Sequence, residues 1–185
     1  MDIKEIREKV KNKLSLKRYN HTLGVEKIAV ILAKKNNYDE KKARIAALLH
    51  DYMKEEKIDK LKEICKDVKE VKGYEKLIEI LHGFAAGIIL SKEFQIEDIE
   101  IEEAIKYHTI GKENMSILDK IIYISDAIEE GREYPGVDII RKKTYENIDE
   151  GIIEEVKRKI NYLSAKNGII HENTLKMLKV LEKRR

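Results

Sequence analysis

Residues 43–54 read Ala43-Arg44-Ile45-Ala46-Ala47-Leu48-Leu49-His50-Asp51-Tyr52-Met53-Lys54. Ala43, Ala46, Ala47 and Leu49 follow Asp39, a side chain suited to capping a helix N-terminus by accepting from its free N–H groups. The small side chains predict a helix packed closely against a neighbour. Its last residues bring an imidazole and a carboxylate side by side, His50 and Asp51. Outward from this stretch the helical period recurs. His21, Val25, Ile28 and Leu32 lie at offsets 0, 4, 7 and 11, on one helical face. Leu77, Ile78, Leu81, His82, Ala85, Ala86 and Ile89 form another face after Gly73. Ile101, Ala104, Ile105 and His108 form a third, ending at Gly111. Leu118, Ile121, Ile122, Ser125 and Asp126 form a fourth, terminated by Gly131 and Pro135-Gly136. Ile152, Val156, Ile160 and Leu163 mark a further helix stopped by Asn167-Gly168, and Leu175, Leu178 and Leu181 carry a last one into a basic tail. Residues 58–71 read as a charged helix, or a helix and a loop.

Composition points the same way. Nine Gly, one Pro and no Trp among 185 residues leave few helix breakers, so an all-α fold is expected. The length corresponds to about one domain. We expect a single domain over 1–185, with its motif-bearing core at about 18–132 and C-terminal helices at about 145–183. The 38 Lys+Arg are nearly matched by 35 Asp+Glu, a net charge of +3, which argues against a nucleic-acid partner. The charges are interleaved with Ile and Leu, which argues against disorder. No apolar run approaches the ~18 residues of a membrane span, and the N-terminal segment lacks a signal-peptide core. One cysteine, Cys65, cannot form an intramolecular disulfide and fits a reducing compartment. A soluble, cytoplasmic protein with no membrane partner is expected.

The chemistry lies in what interrupts the apolar stripes. A single His on an apolar face is ordinarily a packed core residue. A carboxylate there costs several kcal/mol unless it finds a cation, hydrogen-bond donors or a metal. His21, His50-Asp51, His82, His108 and Asp126 follow one another at gaps of 29, 31, 26 and 18 positions, each about one helical hairpin. Successive helices of a bundle could each deliver a ligand to one centre. Imidazole and carboxylate together suit transition-metal or Mn/Mg-type ions. Lys54, one turn beyond His50, and Arg132, six residues after Asp126, could point cations into the same cleft; the plain alternative is a solvated surface charge. His171 falls outside the ligand order and reads as capping or packing.

The order H…HD…H…H…D resembles the HD-domain superfamily of metal-dependent phosphohydrolases. Closer matches are Arg18-Tyr19-Asn20-His21-Thr22-Leu23-Gly24-Val25, Ala46 to Lys54, Tyr107-His108-Thr109-Ile110-Gly111, Met115 to Asp126, and Arg132-Glu133-Tyr134-Pro135-Gly136-Val137. They resemble the YqeK-like symmetrical bis(5′-nucleosyl)-tetraphosphatases over about residues 15–180. Ser125 departs from the small apolar residue usual before the last Asp. The resemblance implies an HD-domain helical bundle with a two-metal centre in its core. The ions it implies are divalent and iron, and manganese or another transition metal fits the same donors. His21, His50, Asp51 and Asp126 would hold one ion; Asp51 would bridge to a second completed by His82 and His108, with a hydroxide between. By the same resemblance Asp51, Lys54 and Arg132 act in catalysis, Lys54 and Arg132 contact phosphate, and Thr109 and Gly111 shape the substrate pocket.

The implied activity is symmetrical hydrolysis of diadenosine tetraphosphate, a nucleotide substrate, into two ADP. The residues by themselves support a metal-assisted phosphohydrolase and leave open one acting on a mononucleotide or a guanosine alarmone. A helical interaction module with retired HD residues would have lost ligands, yet all six positions are filled. The amphipathic C-terminal helix is compatible with a homodimer contact or with docking on the core.

Overall fold

The computed structural model describes residues 1–183; the end of the basic tail, Arg184 and Arg185, lies outside the described residues. The expected all-α architecture is found, with eleven α-helices, one 3-10 turn and no strand among the described residues. The helices are α1 (Ile3–Lys13), α2 (Leu16–Lys35), α3 (Glu40–Leu49), α4 (Ile58–Cys65), α5 (Ile78–Ile88), α6 (Leu90–Phe94), α7 (Ile99–Tyr107), α8 (Ile117–Ile128), α9 (Val137–Glu146), α10 (Ile148–Ala165) and α11 (Glu172–Lys183). The 3-10 turn, Lys69–Val71, follows α4, so the charged stretch 58–71 is a helix and a loop.

Helix α3 is the hub. Asp39 caps it by accepting from the backbone N–H groups of Lys41 and Lys42. Ala43, Ala46, Ala47, Leu48 and Leu49 are fully buried, and their small side chains let α2, α7, α8 and α1 approach. Around it α5 packs on α7, α7 on α8, and α8 on α2 and α10. The segments that end α3 and α7 therefore open toward the same interior region, where α2, α5 and α8 also pass.

Three boundaries differ from the sequence expectation for local reasons. Helix α2 begins five residues before His21, because Ser15 supplies an N-cap that accepts from Arg18 N–H. Helix α8 stops at Ile128, short of Gly131, with Glu129 leaving the helical backbone. Helix α9 carries no obvious stripe, since Ile139 is exposed while only Val137, Ile140 and Thr144 are buried. It is held instead by the close approach of α10. A Cβ on Gly151 would lie 2.0 Å from Thr144 Oγ1, so only glycine permits that crossing.

Helix α11 docks on its own chain through buried Met177 and Leu181 and leaves Leu175 exposed. His171 both caps and packs, as expected. Its Nδ1 accepts from Asn173 N–H at 3.1 Å, while Nε2 donates to the Glu70 carbonyl at 2.9 Å. Cys65 is buried and its thiol is pushed up to about 11 by that burial, so it is not a reactive thiolate at neutral pH. No helix among the described residues is long and apolar enough to cross a membrane.

Gly111 joins α7 to this arrangement. Its φ is +68° and an added Cβ would fall 2.2 Å from Met177 Sδ, inside the buried contact that seats α11. Gly111→Ala therefore combines left-handed backbone strain with overpacking. It should cost about 2 kcal/mol or more in denaturant unfolding, and a loss below ~0.5 kcal/mol would contradict this account.

Candidate metal centre

Four histidines converge, and each ring is oriented through Nδ1. His50 and His108 are the C-cap residues of α3 and α7, and their Nδ1 atoms lie 2.6 Å from the Ala47 carbonyl and 2.7 Å from the Ile105 carbonyl. His82, within α5, has Nδ1 2.8 Å from the Ile78 carbonyl. A carbonyl can only accept, so these contacts place the proton on Nδ1 and leave Nε2 with its lone pair. The Lys54 ammonium also comes within 3.5 Å of His82 Nδ1, but the shorter carbonyl contact decides the tautomer. On α2, His21 Nδ1 lies 3.1 Å from Glu129 Oε1, the same orienting device built from a side chain.

The Nε2 atoms and the carboxylates face one another. Asp51 is only 4% exposed, and its two oxygens divide the site. Oδ1 lies 2.9 Å from His82 Nε2 and 3.8 Å from His108 Nε2; Oδ2 lies 3.6 Å from both His21 Nε2 and His50 Nε2. Asp126 Oδ1, on α8, is 3.1 Å from His21 Nε2, and the Nε2 atoms of His82 and His108 are 3.1 Å apart. His21 Nε2 and His50 Nε2 are buried without a hydrogen-bond partner, so the short approach of Asp126 to His21 is not an aligned hydrogen bond. Ligand atoms of His21, His50 and Asp126, and of His50, Asp51 and His108, lie within 4.8 Å of one another. Lone pairs aimed at lone pairs repel unless a cation lies between them, and this donor set suits a divalent ion. All six residues proposed from the sequence as ligands are thus brought together.

Electrostatics keep the set ready to bind. Burial pushes His50 and His108 down from 6.5, so both are neutral at pH 7. Burial alone would raise Asp51 and Asp126. His50 and His82, when they carry a second proton, overcome it for Asp51, and the His21 contact with the Arg132 charge does so for Asp126. Both stay well below the usual carboxylate range. For His21 burial opposes charge, but Asp126 outweighs it and the pKa is raised.

The flanking cations divide between two sides. Lys54, in the turn after α3, shares a cavity with Asp126 and Thr109, and burial lowers its pKa. Arg132 Nη2 donates to Asp126 Oδ1 at 2.5 Å and its Nε donates to the Asp126 carbonyl at 2.8 Å. Thr109 lines the Lys54 cavity, whereas Gly111 is buried against Met177 and acts by joining α7 to α11. Two site residues went unnoticed as such in the sequence. Arg18 Nη1 donates to Asp51 Oδ2 at 2.7 Å; it heads the first stretch that carries the family resemblance and stands one helical turn before His21, but neither fact points to Asp51 as its partner. Glu129 orients His21 and accepts from Gly131 N–H at 2.6 Å; its signal was standing one turn after Asp126. Gly24 leaves the space Glu129 needs, since a Cβ there would lie 2.5 Å from Glu129 Oε2.

Glu129→Ala frees the His21 ring, and loss of such an orienting partner typically lowers metal affinity 10–100-fold. Titration of metal-free protein with a divalent ion measures this, and parental affinity in the variant would exclude the orienting role. On acidification of metal-free protein, His21, with its raised pKa, should gain a proton before His50 or His108, whose pKa values are depressed. Metal affinity should fall over the same pH range, because a protonated Nε2 cannot ligate. Imidazole NMR signals followed against pH would reveal a different order.

Residues 18–131 match the HD-domain family model. The chain is 37% identical to a symmetrical bis(5′-nucleosyl)-tetraphosphatase of Staphylococcus aureus, over 96% of this chain and 93% of that protein. It is 34% identical to the protein of the same name from Bacillus subtilis, over 89% of each. A crystal structure from Clostridium acetobutylicum, titled a predicted HD superfamily hydrolase involved in NAD metabolism, superposes with a TM-score of 0.93 at 38% identity, covering 100% of this chain and 99% of that one. With its ligand-bearing helices inside the matched region, the chain belongs to the HD-domain family, alongside these symmetrical bis(5′-nucleosyl)-tetraphosphatases.

Proposed function

We propose that this protein hydrolyses diadenosine tetraphosphate symmetrically, giving two ADP, at a centre of two divalent metal ions. HD-domain membership carries dependence on divalent metal, and relatives at 34–37% identity bear the name of this activity. The observation that carries the two-ion reading is Asp51, one oxygen of which faces His82 and His108 while the other faces His21 and His50. In this reading Asp51 bridges, Asp126 completes the ligands on the His21 and His50 side, and iron is the proposed metal, on a donor set of four imidazoles and two carboxylates. The ions, when bound, supply an acidified water and a positive clamp on phosphoryl oxygens.

The protein's own groups do the rest. The four Nδ1 anchors hold the imidazoles aimed inward through Nε2, so no reorganisation is needed as the ions and substrate arrive. Lys54 on one side, and Arg18 and Arg132 on the other, place cations along the line a polyphosphate must follow. Every phosphorus of such a chain is a similar anhydride, so the position of cleavage follows from how these cations seat it. Arg132, held by Asp126, and Lys54, stripped of solvent, are the proposed phosphate contacts; Thr109 shapes the wall beyond Lys54, and Gly111 contributes by seating α11 behind it. The continuous core from Ile6 to Leu181 supports reading the chain as one domain.

Chromatography of the products tests the reading. ADP alone is expected; ATP with AMP would refute symmetrical cleavage, and turnover of a mononucleotide or a guanosine alarmone without turnover of diadenosine tetraphosphate would favour the other phosphohydrolase reading. Arg132→Ala and Lys54→Ala should keep the metal yet lower kcat/KM by about 10²-fold or more, the scale of a lost charge contact in the transition state. Parental kinetics in either variant would remove that residue from the site.

A further inference from the structure

Between the metal centre and the C-terminal helices lies a cavity of about 610 Å³, a size suited to a small molecule. Lys54 and Asp126 stand at its inner end. Its walls combine two chemistries. Leu77 and Ile80 at the start of α5, Ile110 after α7, and Leu163, Ile169 and Ile170 around the turn after α10 supply hydrocarbon. Arg158, Lys159 and Lys166 supply positive charge, the first two paired with buried Glu155, and Glu79 adds a carboxylate beside Lys54. Two of these cations are already fixed. Lys159 Nζ lies 3.3 Å from the Thr109 carbonyl and 3.1 Å from the Tyr123 hydroxyl, and the Arg158 guanidinium stacks 4.0 Å from the Tyr134 ring centre. Thr109 Oγ1, on the same wall, is buried and has no hydrogen-bond partner.

A second cavity, of about 790 Å³, opens beside His21. Arg18, Arg132, Lys17, Lys27, Glu55 and Glu130 line it, and Leu23 is its one apolar side chain among the described residues. The two cavities flank the centre and differ in kind, one largely hydrocarbon and the other charged.

We infer that the hydrocarbon-walled cavity seats one nucleoside of the nucleotide substrate, and that the C-terminal helices α10 and α11 with the turn between them, which lie beyond the HD match, make that selection. The inference rests on the phosphohydrolase reading and deepens it. A nucleoside has apolar faces, polar edges and an anionic attachment at one end. This cavity offers apolar walls, an unpartnered hydroxyl and, toward the metal centre, the ammonium of Lys54. A site for phosphate alone would gain nothing from six aliphatic side chains, whereas base and ribose bury them favourably. The charged cavity suits phosphate and offers a base one aliphatic side chain, Leu23. The HD core supplies the hydrolytic centre and one side of this wall, and the C-terminal helices close the other side.

Calorimetry on the full-length, metal-loaded protein tests this with two probes, ADP and inorganic pyrophosphate. Ile169 is 56% exposed, so Ile169→Asn leaves the core intact. That variant should weaken ADP binding about threefold, and Ile169→Asn with Leu163→Asn about tenfold or more. Pyrophosphate binding and metal content should stay within twofold of the parent. Equal weakening of both probes, or ADP binding unaffected by either variant, would overturn the inference; if the double variant loses helical signal, the single variant decides. Failure of the hydrolase reading shows separately, as a parent protein that does not cleave diadenosine tetraphosphate.

Discussion

A carboxylate in an apolar helical core is the constraint around which this protein is arranged. Asp51 lies just past the end of α3, the hub helix, and is almost wholly out of water. Left alone its charge would cost several kcal/mol. The structure answers by surrounding it with His21, His50, His82, His108 and Arg18, drawn from α2, α3, α5 and α7. The small residues of α3 exist to let those helices come close enough. The bundle and the site are therefore one solution: the packing that buries Asp51 is the packing that assembles its partners.

Local chemistry and tertiary placement were unequally visible in the sequence. The helices bearing His21, His50-Asp51, His82, His108 and Asp126 could be read because these polar groups stood on or at the end of an apolar stripe; Asp39 marks the start of α3, and Asn167-Gly168 the end of α10, as expected. Recognising those six as one set needed only their order and spacing. Arg18 and Glu129 could not be read the same way. On a single helix each is one charge among many, and what makes them special is a partner 33 and 108 positions away. Helix α9 escaped for a related reason, since its stability comes from Gly151 meeting Thr144 and not from a stripe of its own.

The two ends of the chain have different relations to the chemistry. The region matching the HD family carries every candidate ligand, while α10 packs behind α8 and, with α11, helps to wall the cavity beside the centre. Gly111 and Met177 join the two, so the recognition surface is pinned to the residue row that contains His108 and Thr109. A shift of α11 would be felt at the cavity before it was felt at the ligands.

The four histidine anchors differ in how they can be inherited. Three are carbonyls of Ala47, Ile78 and Ile105, atoms every residue possesses, so drift in the neighbouring side chains cannot delete them while the helices persist. The fourth depends on a side chain, Glu129, and on two glycines, Gly24 and Gly131, that leave it room. Mutational sensitivity around the centre is consequently lopsided. The His50, His82 and His108 side should tolerate divergence in its surroundings, and the His21 side is where substitution, natural or engineered, can tune the metal environment one residue at a time.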